Sequence, residues 1–120
     1  MTGPATHKGG CHCGKVRYEV TMAIGQVVSC NCSICTKRGL LLAFAGADEF
    51  KLLSGADDLQ DYQFYKHKIH HLFCRTCGVQ SFARGQAPGT GKEMIAVNVR
   101  CLDDVDVTAL KLRPVDGQKF

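Results

Sequence analysis

The chain has 120 residues, a mass of 13.1 kDa and a formal net charge of +4. Hydrophobic residues make up 45% and charged residues 22% of it, which is typical of one globular domain with a modest core. No stretch of the sequence approaches the roughly 18 consecutive apolar residues of a membrane-spanning helix. This composition excludes a membrane protein of the helical kind.

The first eight residues predict a flexible N-terminal tail, and residues 9–120 predict a single domain. The opening residues, MTGPATHKGG, contain no apolar segment of the kind that directs secretion. We therefore expect a cytoplasmic protein.

Short strands dominate the remainder of the chain. In Lys15–Thr21 the apolar residues Val16, Tyr18 and Val20 share one face, and charged residues occupy the other, as in a half-buried strand. Further strands are predicted at Gln26–Cys30, Leu40–Ala45, Phe50–Ser54, Leu59–Lys66, His70–Phe73, Val79–Ala83, Met94–Val99 and Ala109–Arg113. The sequence thus predicts an all-β protein.

The composition of the segments between the strands predicts how the strands are connected. Phe50–Ser54 and Leu59–Lys66 are expected to form a hairpin, because Gly55–Asp58 between them is typical of a turn. Gln86–Lys92 predicts a flexible loop. No convincing amphipathic helix is present, and Cys30–Gly39 predicts a knuckle or a short helical turn.

Seven of the eight cysteines fall into three short clusters, Cys11/Cys13, Cys30/Cys32/Cys35 and Cys74/Cys77. Zinc is bound by several thiolates at about 2.3 Å, and closely spaced cysteines on tight turns provide them. Gly14 and Gly78 follow two of the clusters, as in zinc knuckles, where the next residue often needs a positive φ. Seven ligands suggest one closed four-cysteine site and one three-cysteine site with an open position, which is typical of catalytic zinc.

Two questions stay open at this point. The cysteines could form disulfides, although the missing secretory segment and the poor geometry of a C-x-C bridge favour a metal. Spacing alone does not decide which cysteines share an ion, although two knuckles with two sulfurs each make a natural tetrahedron. A zinc ion with three thiolates has a negative net charge, so it suits an exogenous thiol better than the activation of water.

The basic net charge does not indicate a nucleic-acid partner. Seven metal-bound thiolates subtract seven charges from the formal +4 and two divalent ions add four, which leaves +1. The lysines and arginines are also scattered along the chain, as solvated surface charges usually are. We expect neither nucleic acid nor a membrane among the partners.

Four motifs in order carry a resemblance to a known family. Gly9–Tyr18 reads GGCHCGKVRY, Cys30–Cys35 reads CNCSIC, Phe73–Gly78 reads FCRTCG and Asn98–Leu102 reads NVRCL. From about Gly9 to the C terminus the chain resembles the glutathione-dependent formaldehyde-activating enzyme and centromere protein V family. The resemblance implies a β-tent fold of antiparallel sheets with zinc knuckles.

The resemblance also implies an activity and its residues. The ligands of a structural zinc would be Cys11, Cys13, Cys74 and Cys77. The ligands of a catalytic zinc would be Cys30, Cys32 and Cys35. The implied activity is that of a carbon–sulfur lyase, in which glutathione and formaldehyde give S-hydroxymethylglutathione and the adduct is cleaved in reverse. The alternative is a zinc-stabilised binding module without enzymatic activity, in which a histidine closes the second site.

Residues outside the clusters have competing interpretations. Lys37 and Arg38 are candidates for binding the carboxylates of a glutathione-like substrate or stabilising an oxyanion, and are otherwise solvated charges. Cys101 is interpreted as a small buried residue rather than a redox nucleophile. Three histidines are candidates for a general acid or for the fourth ligand, and are otherwise surface or cross-strand residues: His67, His70 and His71.

Overall fold

Short β-strands make up most of the fold, which a computed structural model describes for residues 4–24, 26–30, 32–63, 69–86 and 91–115. The strands in these ranges are β1 (Ala5–Gly10), β2 (Arg17–Met22), β3 (Gln26–Cys30), β4 (Leu42–Gly46), β5 (Phe50–Ser54), β6 (Leu59–Tyr62), β7 (His70–Cys74), β8 (Phe82–Gln86), β9 (Glu93–Asn98) and β10 (Lys111–Val115). The helix is α1 (Ser33–Arg38). Short 3₁₀ turns cover Ala47–Glu49, Ala56–Asp58, Val99–Cys101 and Val107–Ala109.

The strands form two sheets, which confirms the all-β prediction. The first sheet has three strands in the order β1-β2-β5, and the second has seven in the order β10-β3-β4-β9-β8-β7-β6. The pairs are antiparallel except β10 with β3, which run parallel. The resemblance implies antiparallel sheets, and the parallel pair of β10 with β3 departs from that expectation. The chain between β3 and β10 is long enough to return in the same direction, which a tight hairpin cannot do.

The core lies between the two sheets. Val16, Tyr18 and Val20 are fully buried there, as their predicted common face requires. The ring of Tyr18 lies 5.0 Å from that of Phe50 and 5.7 Å from that of Phe82, measured between centroids. Because Phe50 belongs to the first sheet and Phe82 to the second, this aromatic cluster joins both sheets.

Residues 5–8, which the sequence predicts to be part of a flexible tail, form the first part of β1. This strand pairs with β2 along its whole length, from Ala5 opposite Met22 to Gly10 opposite Arg17. The imidazole of His7 is buried, and its Nδ1 lies 3.0 Å from a carboxylate oxygen of Asp104. The segment has little strand propensity of its own, so pairing and burial in the tertiary structure stabilise the strand.

The hairpin predicted across Gly55–Asp58 is wrong. β5 pairs with β2 in the first sheet, whereas β6 pairs with β7 in the second. The composition of Gly55–Asp58 does mark a change of direction, but it carries no information on the partner of each strand. This segment instead takes the chain from one sheet to the other.

Two other predictions lie partly outside the described residues. The strand predicted at Leu59–Lys66 is observed as β6, and residues 64–68 are not among those described. The loop predicted at Gln86–Lys92 connects β8 with β9, which begin pairing at Gln86 and Glu93, and residues 87–90 are likewise not described.

Gly55→Ala should lower the free energy of unfolding by at least about 2 kcal/mol. Gly55 has a φ of 88°, which side-chain-bearing residues rarely adopt. An added Cβ would lie 2.4 Å from the carbonyl oxygen of Lys15 and 2.7 Å from the Cα of Val16. Since both atoms belong to the backbone, rotation of a side chain cannot relieve the contact. Urea unfolding of parent and variant measures the difference.

Gly91→Ala is the matched control, because Gly91 has a φ of 69° but no atom within 4 Å of an added Cβ. This variant should lower the free energy of unfolding by about 1 kcal/mol. An equal loss in both variants would contradict the role given to the close approach of Lys15.

Helix α1 covers part of the outer face of the second sheet. Leu42 packs against Cys35 of the helix and Leu40 just after it, whereas Ala43 and Ala45 of the same strand belong to the core between the sheets. This packing places the region of α1 outside the main core. Among the described residues, no helix has the length and apolar character needed to cross a bilayer.

Candidate metal centres and active site

The first metal centre consists of four thiols contributed by two loops. Cys11 and Cys13 follow β1, while Cys74 ends β7 and Cys77 follows it. Their sulfur atoms all lie within 4.8 Å of one another. The Sγ atoms of Cys11 and Cys13 are 3.5 Å apart, and those of Cys13 and Cys74 are 3.7 Å apart. The first pair follows a strand of the first sheet and the second pair lies at the end of a strand of the second, so a shared ion would join the sheets.

This geometry fits a tetrahedral metal ion. Zinc–sulfur distances of about 2.3 Å place the sulfurs of a tetrahedron about 3.8 Å apart. Gly14 and Gly78 have φ of 85° and 82°, as predicted for the residues that follow a knuckle. In each knuckle the first cysteine donates its N–H to a carbonyl beyond the turn, Cys11 to Val16 and Cys74 to Val79, both at 3.1 Å. The two loops are thus built alike.

The thiols of the first centre differ in pKa. The N–H of Lys15 lowers the pKa of Cys13, but burial and the neighbouring thiols outweigh it and raise the pKa to about 11. Burial raises the pKa of the Cys77 thiol, but the N–H groups of Val79 and Cys13 and the neighbouring thiols outweigh burial and lower the pKa to about 6. The pKa of Cys74 is also lowered, chiefly by the N–H of Cys77. Four thiolates this close repel one another, so full ionisation requires a positive ion between them.

The second centre consists of three thiols from one short segment. Cys30 ends β3, Cys32 precedes the first residue of α1, and Cys35 is buried within the helix. Their Sγ atoms also lie within 4.8 Å of one another. The N–H of Cys32 points at the sulfur of Cys30 at 3.5 Å. The helix is therefore the element that folds this segment into a three-ligand cluster.

The thiols of the second centre are unequal. Burial raises the pKa of Cys32, but N–H groups of Cys35 and Ile34 and the neighbouring thiols lower it below the ordinary value. Burial raises the pKa of Cys35, and the neighbouring thiols of Cys32 and Cys30 raise it further. This donor set suits a thiophilic ion such as zinc, whose charge would hold all three groups as thiolates.

No fourth ligand joins the second cluster from the described residues. His70 lies on β7, where its Nδ1 is 2.6 Å from a carboxylate oxygen of Asp61. His71 is buried on the same strand, and burial together with the charge of Arg38 lowers its pKa. A neutral imidazole is a weak proton donor near pH 7. His67, the third candidate, lies outside the described residues.

An open groove of about 740 Å³ adjoins the second cluster. This volume is in the range of small-molecule sites. Its lining residues are Ser29, Cys30, Cys35, Thr36, Gly39, Leu40, Leu41, Arg100, Leu112, Pro114 and Val115. Cys30 and Cys35 thus lie in a surface that is apolar on the side of β10 and carries one cationic group.

Lys37 and Arg38 are not part of this lining. Lys37 is exposed at the end of α1. The guanidinium of Arg38 donates to Oε1 of Gln80 and lies 5.1 Å from the ring centroid of Phe73 and 5.8 Å from that of Tyr62. These contacts tie α1 to the second sheet. Substrate binding by the two residues stays a prediction.

Cys101 is half-buried, in line with its interpretation as a packing residue. Its thiol lies 3.8 Å from the carbonyl oxygen of Gln80 and 3.6 Å from Nδ2 of Asn98. Burial raises its pKa, and the nearby Cys11 and Cys77 add to this shift. A raised pKa keeps the sulfur protonated and weakly nucleophilic. All eight cysteines are free thiols in the structure.

Arg100 is the groove residue that sequence reasoning missed. It lies within the NVRCL motif, where its neighbours Asn98 and Cys101 are recognisable, but no spacing rule links it to the cluster about 65 residues earlier in the chain. Only the pairing of β4 with β9 brings the two regions together.

Two comparisons relate this chain to known proteins. A profile of the glutathione-dependent formaldehyde-activating enzyme family matches residues 6–116, which include all seven clustered cysteines. A similar solved structure is the crystal structure of a Rhodobacter sphaeroides protein, with 33% sequence identity and a TM-score of 0.75. That similarity covers 88% of this chain and 99% of the other.

Proposed function

This chain belongs to the glutathione-dependent formaldehyde-activating enzyme family, and on that basis we propose that it is a zinc-dependent carbon–sulfur lyase acting on thiol–aldehyde adducts. The proposed reaction is the formation of S-hydroxymethylglutathione from glutathione and formaldehyde, and its reversal. Two zinc ions per chain are part of the proposal. The structural ion is assigned to Cys11, Cys13, Cys74 and Cys77, and the catalytic ion to Cys30, Cys32 and Cys35.

The observation that carries the proposal is a three-thiol cluster with two of its members, Cys30 and Cys35, in the wall of an open groove. Three sulfurs leave one position of a tetrahedral ion for an exogenous ligand. Cys30 and Cys35 themselves line the groove, so a ligand in it can approach the position between them. The four-thiol cluster, by contrast, is complete without any further ligand.

The chemistry needs no other reactant. The sulfur of the thiol attacks the aldehyde carbon and forms the C–S bond, while the carbonyl electron pair moves to oxygen. The proton released by the thiol ends on that oxygen, and cleavage reverses both changes. When bound, zinc would keep the thiol of the substrate deprotonated near neutral pH. Cys30, Cys32 and Cys35 would hold the ion, and the side chains of Leu40 and Leu112 give the groove beside them an apolar lining.

The exchange rate between glutathione and its formaldehyde adduct tests the proposal. Two-dimensional exchange spectroscopy of ¹³C-formaldehyde with glutathione should show a rate that rises in proportion to the concentration of zinc-loaded protein. Chelation of the zinc should abolish the increase. A rate equal to the uncatalysed rate with glutathione and with simple thiols would reject the lyase function.

Localisation in the cytoplasm is a further part of the proposal. Seven thiols kept ready for metal need a reducing compartment, in which free cysteines persist. Glutathione and an aldehyde are the small-molecule partners we propose, and neither nucleic acid nor a membrane is required for the reaction.

A further inference from the structure

We propose that Arg100 binds a carboxylate of the thiol substrate and thereby selects carboxylate-bearing thiols. This inference rests on the proposed function, since it names the feature by which that site recognises its thiol. Arg100 is the only charged residue among the described residues that line the groove with Cys30 and Cys35. Its side chain is exposed there.

Backbone hydrogen bonds connect Arg100 to the cluster by a short path. The N–H of Leu40 donates to the carbonyl of Cys35 at 3.2 Å, and the carbonyl of Leu41 accepts the N–H of Val99 at 2.8 Å. Arg100 follows Val99 directly. The backbone that carries the guanidinium is therefore tied to the same segment that carries the thiols.

The side chain of Asn98 holds the turn in which Arg100 lies. Asn98 is buried, and its Oδ1 accepts the N–H of Arg100 at 3.3 Å. Its Nδ2 donates to the carbonyl of Gln80 at 3.0 Å. A side chain with both ends bonded fixes the 3₁₀ turn Val99–Cys101, in which Arg100 is exposed. Asn98 is thus a positioning residue for Arg100.

The remaining lining explains why the ligand should be an anion with an apolar part. A planar guanidinium binds carboxylates with two parallel hydrogen bonds. Leu112, Pro114 and Val115 form an apolar wall on the side of β10. No carboxylate side chain is found among the described lining residues, so an ammonium group on the ligand finds no ionic partner there. The groove can therefore recognise a thiol by a carboxylate near its sulfur, as in the cysteinylglycine end of glutathione.

Two thiols that differ only in that carboxylate provide the test. N-acetylcysteinylglycine carries it, and N-acetylcysteinylglycine amide does not. Calorimetric titration of both into zinc-loaded protein should show about tenfold weaker binding of the acid to Arg100→Ala than to the parent. Binding of the amide should be unchanged, and Arg100→Lys should restore part of the affinity for the acid. Arg113→Ala is the matched control, because it removes one exposed cation that does not line the groove.

The possible outcomes distinguish a carboxylate-binding role of Arg100 from a structural role, and both from failure of the lyase function. Equal affinity of parent and Arg100→Ala for the acid would overturn the assignment, and so would a parent that binds neither thiol. An equal loss for acid and amide would mean a structural role for Arg100, which also overturns it. Arg100-dependent binding without faster formaldehyde exchange would leave the binding site standing and reject the lyase function instead.

Discussion

Cys77→Ser should abolish cooperative thermal unfolding of the domain. The four-thiol centre joins knuckles from different sheets, and Cys13 and Cys74 are 61 residues apart in the chain. An ion there closes a long loop of the unfolded chain, which is where a crosslink stabilises most. Structural zinc contributes about 10–16 kcal/mol in small modules, as much as the whole stability of an ordinary domain. Circular dichroism melts with zinc counting on the purified variant measure the effect.

Cys101→Ser is the control for this experiment, because it also replaces a cysteine but leaves both clusters complete. It should keep a cooperative transition and the zinc content of the parent. A Cys77→Ser protein that melts like the parent would contradict the structural role of the first centre.

Cys32→Ser should lower the rate of formaldehyde exchange at least about 100-fold and leave the fold intact. Loss of an outer-shell partner of a metal site already costs about 10–100-fold, and a direct ligand should cost no less. The cluster lies within six consecutive residues, from Cys30 to Cys35, so its ion crosslinks little of the chain. The melting temperature should therefore stay within about 5 °C of the parent.

Zinc counting and formaldehyde exchange on the same preparation measure this result. The zinc content should fall to that of the first centre alone, whereas Cys101→Ser should keep full activity. Similar losses of stability in Cys32→Ser and Cys77→Ser would contradict the division into a structural and a catalytic centre. Full activity in a Cys32→Ser protein that has lost the second ion would contradict the catalytic assignment.

The sequence by itself determined what depends on near neighbours along the chain. Alternation placed Val16, Tyr18 and Val20 on one buried face, because the side-chain period of a strand is two residues. Gly14 and Gly78 were recognisable as residues of positive φ, because a knuckle requires that turn locally. The grouping of Cys30, Cys32 and Cys35 was evident for the same reason.

Only the tertiary structure decided which distant segments meet. Turn composition marked Gly55–Asp58, but pairing with β2 and β7 sent the flanking strands to different sheets. The strand at Ala5–Gly10 exists because β2 pairs with it and because His7 is buried. Arg100 reaches the groove because β9 pairs with β4. Long-range pairing depends on burial and loop closure across the whole chain, and neither quantity can be read from the spacing of residues.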